Sequence, residues 1–301
     1  MKRAAMMFLM VVVASIAWAQ QPQTPAKQTP ATGQQGAAAP AATPQQGKRP
    51  PQAKTQPEFD AYKAAMANPT DGAAMEKAAD DFAAKFPDSE LRVLLYKTAM
   101  RDYQNTNKAD QMAATADKVL KIDPDDPEAL IGSAEVIAER TRDTDLDKDQ
   151  RWAQAEKEAN HSLETVDTDI AVPAGTPQDK VDAYKNFYRS SAYSVLGTIS
   201  FSQEKYQDAE GFFRKSIDAF PQQVDPVVVL RLAIALDKQG RYPDALKEAN
   251  HAVELTQENT TAGTLARRER DRLVQLTGGS NPAPTAKPPA GGAQNPTPPS
   301  P

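Results

Sequence analysis

Two histidines, one run of alternating aspartates and a complete lack of cysteine bound any chemistry this 301-residue chain could perform. His161 and His251 hold the same place in two nearly identical octapeptides, KEANHSLE at 157–164 and KEANHAVE at 247–254, each preceded by a matching Trp152 or Tyr242 and Ala155 or Ala245. Two units apart in a repeat, their imidazoles do not converge on one metal ion, so the spacing predicts half-exposed histidines between helices. Asp143, Asp145, Asp147 and Asp149 alternate like the first ligands of a calcium loop, where crowded carboxylates wrap a hard cation. The pattern then fails, with Lys148 at the turning-glycine position and Gln154 where a bidentate glutamate belongs, and the run is read as a solvated acidic loop. No Gly-rich phosphate loop, serine elbow or His-Glu metal helix occurs. The sequence therefore supplies no catalytic residue, no cofactor site and no metal site, and the chain reads as a non-enzyme.

The copied octapeptide points to a helical array. A helix that recurs cannot bury its apolar stripe alone and must stack on its neighbours. Between Pro57 and Gly278 the apolar residues recur at helical spacing, broken at Pro, Gly, Asn and Asp, without a period-two run. The expectation is an all-α body of about 220 residues with a stacked core.

Both ends differ from this body. Lys2 and Arg3, an apolar run from Ala4 to Ile16 and Ala17-Trp18-Ala19 follow the layout of a secretory signal, too short to span about 30 Å of hydrocarbon comfortably. Cleavage is expected after Ala19, with the mature chain in a bacterial periplasm or outside the cell and no membrane span left in it. Residues 20–56 hold seven prolines among Gln, Ala, Thr and Gly, and 278–301 are similarly Pro-rich. Neither segment carries enough apolar surface to offset the entropy of ordering, so both are expected to be disordered.

The charge excludes one class of partner. Removing the seven basic residues outside 57–277 from the 35 in the chain leaves 28 against 40 acidic, a net charge of about −12 on the body. Such a body repels phosphate backbones, which argues against nucleic-acid binding.

From Ser190 to Pro221 the residues Tyr193, Leu196-Gly197, Tyr206, Ala209, Phe213, Ser216 and Pro221 follow the tetratricopeptide repeat (TPR), and the chain resembles that family. Gly197 and Ala209 are small so that two antiparallel helices approach closely, with Phe212 or Phe213 filling the gap to the next unit. Residues 226–257 repeat the scheme, 127–167 do so with a charged insertion, and 89–124 and 57–87 fit more loosely. The expected architecture is a solenoid of about five TPR-like helix pairs with a capping helix over 261–276, flanked by disordered tails. Units one to three occupy 57–167, a loop at 168–179 marks a subdomain boundary, and units four and five with the cap occupy 180–277. The apolar stripe continuing from Val181 through Tyr184 and Tyr188 to Ile199 predicts an overlong helix, about 33 Å, protruding past its neighbours.

The resemblance implies that the first helices of the pairs line a concave groove for protein or peptide partners. Carried onto matching positions, the groove residues include Lys97 and Arg101 in the second unit, Glu128, Glu135 and Glu139 in the third, Ser194, Thr198 and Phe201 in the fourth, and Leu230, Ile234 and Asp237 in the fifth. Lys97 and Arg101 beside three glutamates do not make the family's carboxylate clamp, whereas Val227, Leu230 and Ile234 suggest an apolar anchor. The leading expectation is an exported, non-enzymatic scaffold that gathers envelope proteins. The alternative is a self-associating structural protein whose tails contact the cell wall or outer membrane.

Overall fold

The computed structural model describes residues 47–67, 71–173 and 175–278. The expected signal at 1–19, most of the linker and nearly all of the carboxy-terminal tail lie outside the described residues. Within them run eleven α-helices: α1 (Gln56–Ala67), α2 (Gly72–Lys85), α3 (Arg92–Asn105), α4 (Ala109–Leu120), α5 (Pro127–Arg140), α6 (Lys148–Thr165), α7 (Gln178–Ser202), α8 (Tyr206–Ala219), α9 (Pro226–Lys238), α10 (Tyr242–Glu254) and α11 (Thr261–Leu276), with a 3-10 turn at Pro221–Gln223. Each helix packs on the next in chain order, the serial hairpin arrangement of a solenoid. The only strand-like pairing among the described residues is an isolated parallel bridge between Lys48 and Ala171.

Local sequence sets the helix ends. Asp126-Pro127 and Asp225-Pro226 open α5 and α9: each aspartate accepts a hydrogen bond from the first turn, from Ala129 N at 2.9 Å and Val227 N at 2.8 Å, while proline occupies a position whose N–H would have no partner. Asp71 and Thr260 cap α2 and α11 in the same way. The turns inside the second, fourth and fifth units share one geometry. Asn107, Glu204 and Gly240 all have positive φ, at 57°, 60° and 74°, and the residue after each donates back five positions, Lys108 N to Tyr103 O, Lys205 N to Ser200 O and Arg241 N to Leu236 O. This is the left-handed helix stop that lets the chain reverse in three residues. The third unit lacks it and uses the charged insertion 141–147 instead.

The expected small positions are the tight contacts. Ala155, Ala209 and Ala245 are fully buried, and at the matching place in the first two units stand Met75 and Met112, also buried, which is why those units fit the pattern more loosely. At Gly197 an added Cβ would lie 2.6 Å from the Phe213 ring, which itself has no exposure, so Phe213 and not Phe212 fills the gap between α7 and α8. Phe212 is partly buried and lies under the Lys215 ammonium.

Three expectations are corrected. The linker's last residues, 47–55, are ordered: Lys48 pairs with Asp123 at 2.6 Å and Asp169 at 3.5 Å, Arg49 with Glu90 at 2.8 Å, and the Lys54 ammonium donates to Asp88 O. Ala53 packs on the core, and Thr55 with Glu58 forms a reciprocal capping box that starts α1. Composition hid this strap because its anchors are charges facing body carboxylates, not apolar side chains. The loop at 168–179 does not divide the array into subdomains either. Ile170 is buried in one cluster with Trp152, Tyr188 and Val195, so the core runs through from the third unit to the fourth. Finally, α7 does not protrude. Its amino-terminal half lies against α5 and reaches α3, since Val181 and Tyr188 are buried and Tyr184 bonds to both neighbours.

Candidate protein-binding groove

The groove positions of the second and third units form one part-buried polar cluster. The Arg101 guanidinium grips Glu128 with two hydrogen bonds, Nε to Oε1 at 2.6 Å and Nη2 to Oε2 at 2.7 Å. Lys97 reaches Asp126 at 2.7 Å and Glu128 at 2.9 Å, so the Asp126 carboxylate serves both α3 and the cap of its own helix. From above, the Tyr184 hydroxyl donates to Glu128 and accepts from Arg101, and the Tyr188 hydroxyl donates to Tyr184. The two rings meet edge to face at 4.8 Å.

These charges are held in place by one another. Burial works against the Lys97 ammonium, but Asp126 and Glu128 outweigh it and raise its pKa. Burial likewise would raise the Glu128 carboxyl, yet Arg101 and Lys97 hold it well below the usual carboxylate range. What remains here is a cavity of about 30 Å³ lined by Leu94, Lys97, Arg101, Ile170, Tyr184 and Tyr188, room for water and not for a peptide. The amino-terminal groove is thus occupied by the chain's own helix.

The carboxy-terminal groove is different. Arg231, on α9, donates to the Thr198 hydroxyl at 2.8 Å and to Glu139 at 2.6 Å, linking α9, α7 and α5 across the inner wall. Glu135, Ser194, Phe201 and Ile234 flank this bridge and are partly exposed, with Phe201 resting edge-on against Tyr206. Arg231 escaped the residue-by-residue carry-over because it falls between groove positions. Its signal was present nonetheless: it is the single charge in the otherwise apolar run from Val227 to Leu236.

Two further groove residues are spent inside the fold. Leu230, expected as an exposed anchor, is buried with Val229, Ala252 and Ala266, because α11 closes over that side of α9. Asp237 is paired with Arg272 of α11 at 2.7 Å. The histidines remain apart. His161 binds Asp125 at 2.7 Å and Glu164 at 3.3 Å, and His251 lies 3.8 Å from Glu248. In the aspartate run, Asp145 accepts from Arg142 N and faces Arg151, and Asp143 faces Lys148. Among the described residues no group of His, Asp and Glu is arranged to hold a metal ion.

An all-helical array with a lined inner wall and serial hairpins belongs to the class of helical-repeat proteins. More particularly, the tetratricopeptide repeat family's model matches residues 200–268, from the end of α7 into α11. Among solved structures, the chain is similar to a thermophilic TPR protein of Thermus thermophilus, at 12% identity over 73% of this chain and 100% of that one, with a TM-score of 0.44. It is also similar to a chain of the Cut9–Hcn1 hetero-tetramer of the APC/C, at 14% identity over 74% of this chain, with a TM-score of 0.33, and spans 46% of that chain. No curated protein matches the sequence. The repeat fold is one of protein partners, and no described helix is long and apolar enough to cross a membrane.

Proposed function

We propose that this protein is a non-enzymatic, exported scaffold of the bacterial cell envelope that binds protein segments through the carboxy-terminal half of its groove. The observation that carries the reading is the contrast between the two halves. Around Lys97, Arg101 and Glu128 every charge has an internal partner and α7 covers the wall, whereas around Arg231 and its partner Glu139 the wall is polar and partly exposed. An incoming carboxylate or backbone carbonyl can take an Arg231 N–H in place of Glu139, while Phe201 and Ile234 offer apolar contact on either side. Export rests on the amino-terminal pattern of Lys2, Arg3, the apolar run and Ala17-Trp18-Ala19.

A photo-crosslinking residue in place of Ser194 is expected to capture an envelope protein in living cells, and Arg231→Ala should reduce that capture about tenfold. The same crosslinker at Lys157, on an exposed part of α6, serves as control. Equal capture at both positions would remove the groove from the proposal. Sequencing the amino terminus of the protein from the envelope fraction should read from Gln20, and a chain that keeps Met1 in the cytoplasm would remove export.

A further inference from the structure

Among the described residues the most exposed large apolar side chain is Leu146, at 107% of its reference area, with Leu276 next at 50%. Leu146 sits at the tip of the insertion between α5 and α6, and the turn that carries it is ordered. Arg142 N donates to the Asp145 carboxylate at 2.8 Å, Asp145 N to Arg142 O, and Lys148 N to Asp145 O. Asp147 stands beside the leucine and does not use its side chain to cap α6. The loop therefore displays a leucine between aspartates on a fixed turn, a shape that does nothing for the core and suits an apolar contact rimmed by positive charge.

The outer face of α11 is such a surface. Leu265, Arg268, Arg272 and Leu276 follow one stripe of that helix, all four exposed. Arg268 has no ion pair or hydrogen bond among the described residues. Beside the stripe lies a shallow hollow of about 510 Å³ between Glu258, Thr264, Arg267, Arg268, Asp271 and Gln275, whose walls include the methylene stems of the arginines. As the last helix among the described residues, α11 packs on α10 and α9.

We propose that the Leu146 loop of one molecule docks on the outer face of α11 of a second copy, with Leu146 against Leu265 and the neighbouring arginine stems, and the flanking aspartates toward Arg268. The occupant is assigned from charge and apolar complementarity between two surfaces that one chain carries. Because the two patches differ, the contact is head to tail and leaves a free loop at one end and a free α11 at the other, so copies add in series. This contact uses neither Arg231 nor the groove wall, and it stands or falls separately from the groove reading.

The test is sedimentation velocity on the full protein over a concentration series. The wild-type mass is expected to grow with concentration and to fall when salt screens the aspartate–arginine contact. Leu146→Ser and Arg268→Glu should each weaken assembly about tenfold or more and leave helical content and melting unchanged. An equimolar mixture of the two variants then gives the decisive reading. Each variant keeps one intact patch, so the mixture should form dimers that grow no further. A wild-type chain that stays monomeric throughout, variants that assemble like the wild type, or a mixture that fails to pair would each overturn the proposal; the first would give the leucine to a foreign partner.

Discussion

The Tyr184 hydroxyl donates to the Glu128 carboxylate at 3.0 Å, joining α7 to α5 across 56 residues of sequence. That bond closes the amino-terminal groove, because it ties the extended half of α7 to the same carboxylate that Arg101 and Lys97 grip. An overlong helix has thereby become a lid on its own array.

Removing the hub should be costly. Glu128→Ala leaves two part-buried cations without their central partner, and breaking a buried pair costs about 3–5 kcal/mol. With its folded pKa depressed, Glu128 contributes stability that is fully present above the unfolded value of about 4.3 and is lost as pH falls through the folded value. Urea unfolding at pH 7 and at acid pH checks both points: the variant should be weaker at neutral pH, and the gap should narrow in acid. A gap that widens on acidification would contradict the assignment.

Glu158 runs the other way. Burial raises its carboxyl, more than the hydrogen bonds from Gln154 and Ser133 lower it, and Asp117 adds repulsion. One of its oxygens is buried without a partner. A raised carboxyl pKa means that the unfolded chain ionises first, so stability falls as pH climbs from the unfolded value through the folded one. Glu158→Gln should remove that slope and stabilise the protein at neutral pH by about 0.5 kcal/mol, allowing for solvent on its open side. Thermal melts between pH 4 and 8 measure it.

The left-handed turn offers a stabilising change. Glu204 holds φ at 60°, where a side chain costs about 1 kcal/mol and glycine does not, and its counterpart Gly240 already has glycine there. Glu204→Gly is expected to raise stability by up to about 0.5 kcal/mol after the added unfolded-state entropy is subtracted. Chemical denaturation should show a higher midpoint with an unchanged slope.

Gly197 tolerates no side chain without movement. A methyl group 2.6 Å from the Phe213 ring must push α7 from α8, at a cost of about 1–3 kcal/mol. Gly197→Ala paired with Phe213→Leu should recover part of the loss, since the smaller residue frees the space. Full additivity of the two changes in denaturation would show that the contact is not shared.

The repeat architecture was legible because its determinants are local and periodic. The small residues at Ala155, Ala209 and Ala245, the Asp-Pro helix starts and the Gly197–Phe213 pairing all announce themselves within one unit, and the family resemblance carried the same positions into order. The groove was legible only as a set of positions. Leu230 and Ile234 occupy equivalent sites one helical turn apart, yet one is sealed by α11 and the other is partly exposed, a distinction that no spacing within α9 encodes.

The sequence alone determined that helices form, where they stop and which small residues let them touch, because propensity, capping and periodicity act within a few residues of each other. Only the tertiary structure decided that Lys97 and Arg101 are consumed by Glu128, that Lys48 and Arg49 strap the linker to Asp123 and Glu90, and that Arg231 spans three helices. Those pairings join residues tens of positions apart. Their partners are chosen by how the stacked helices bring charges together, and that choice is made by packing.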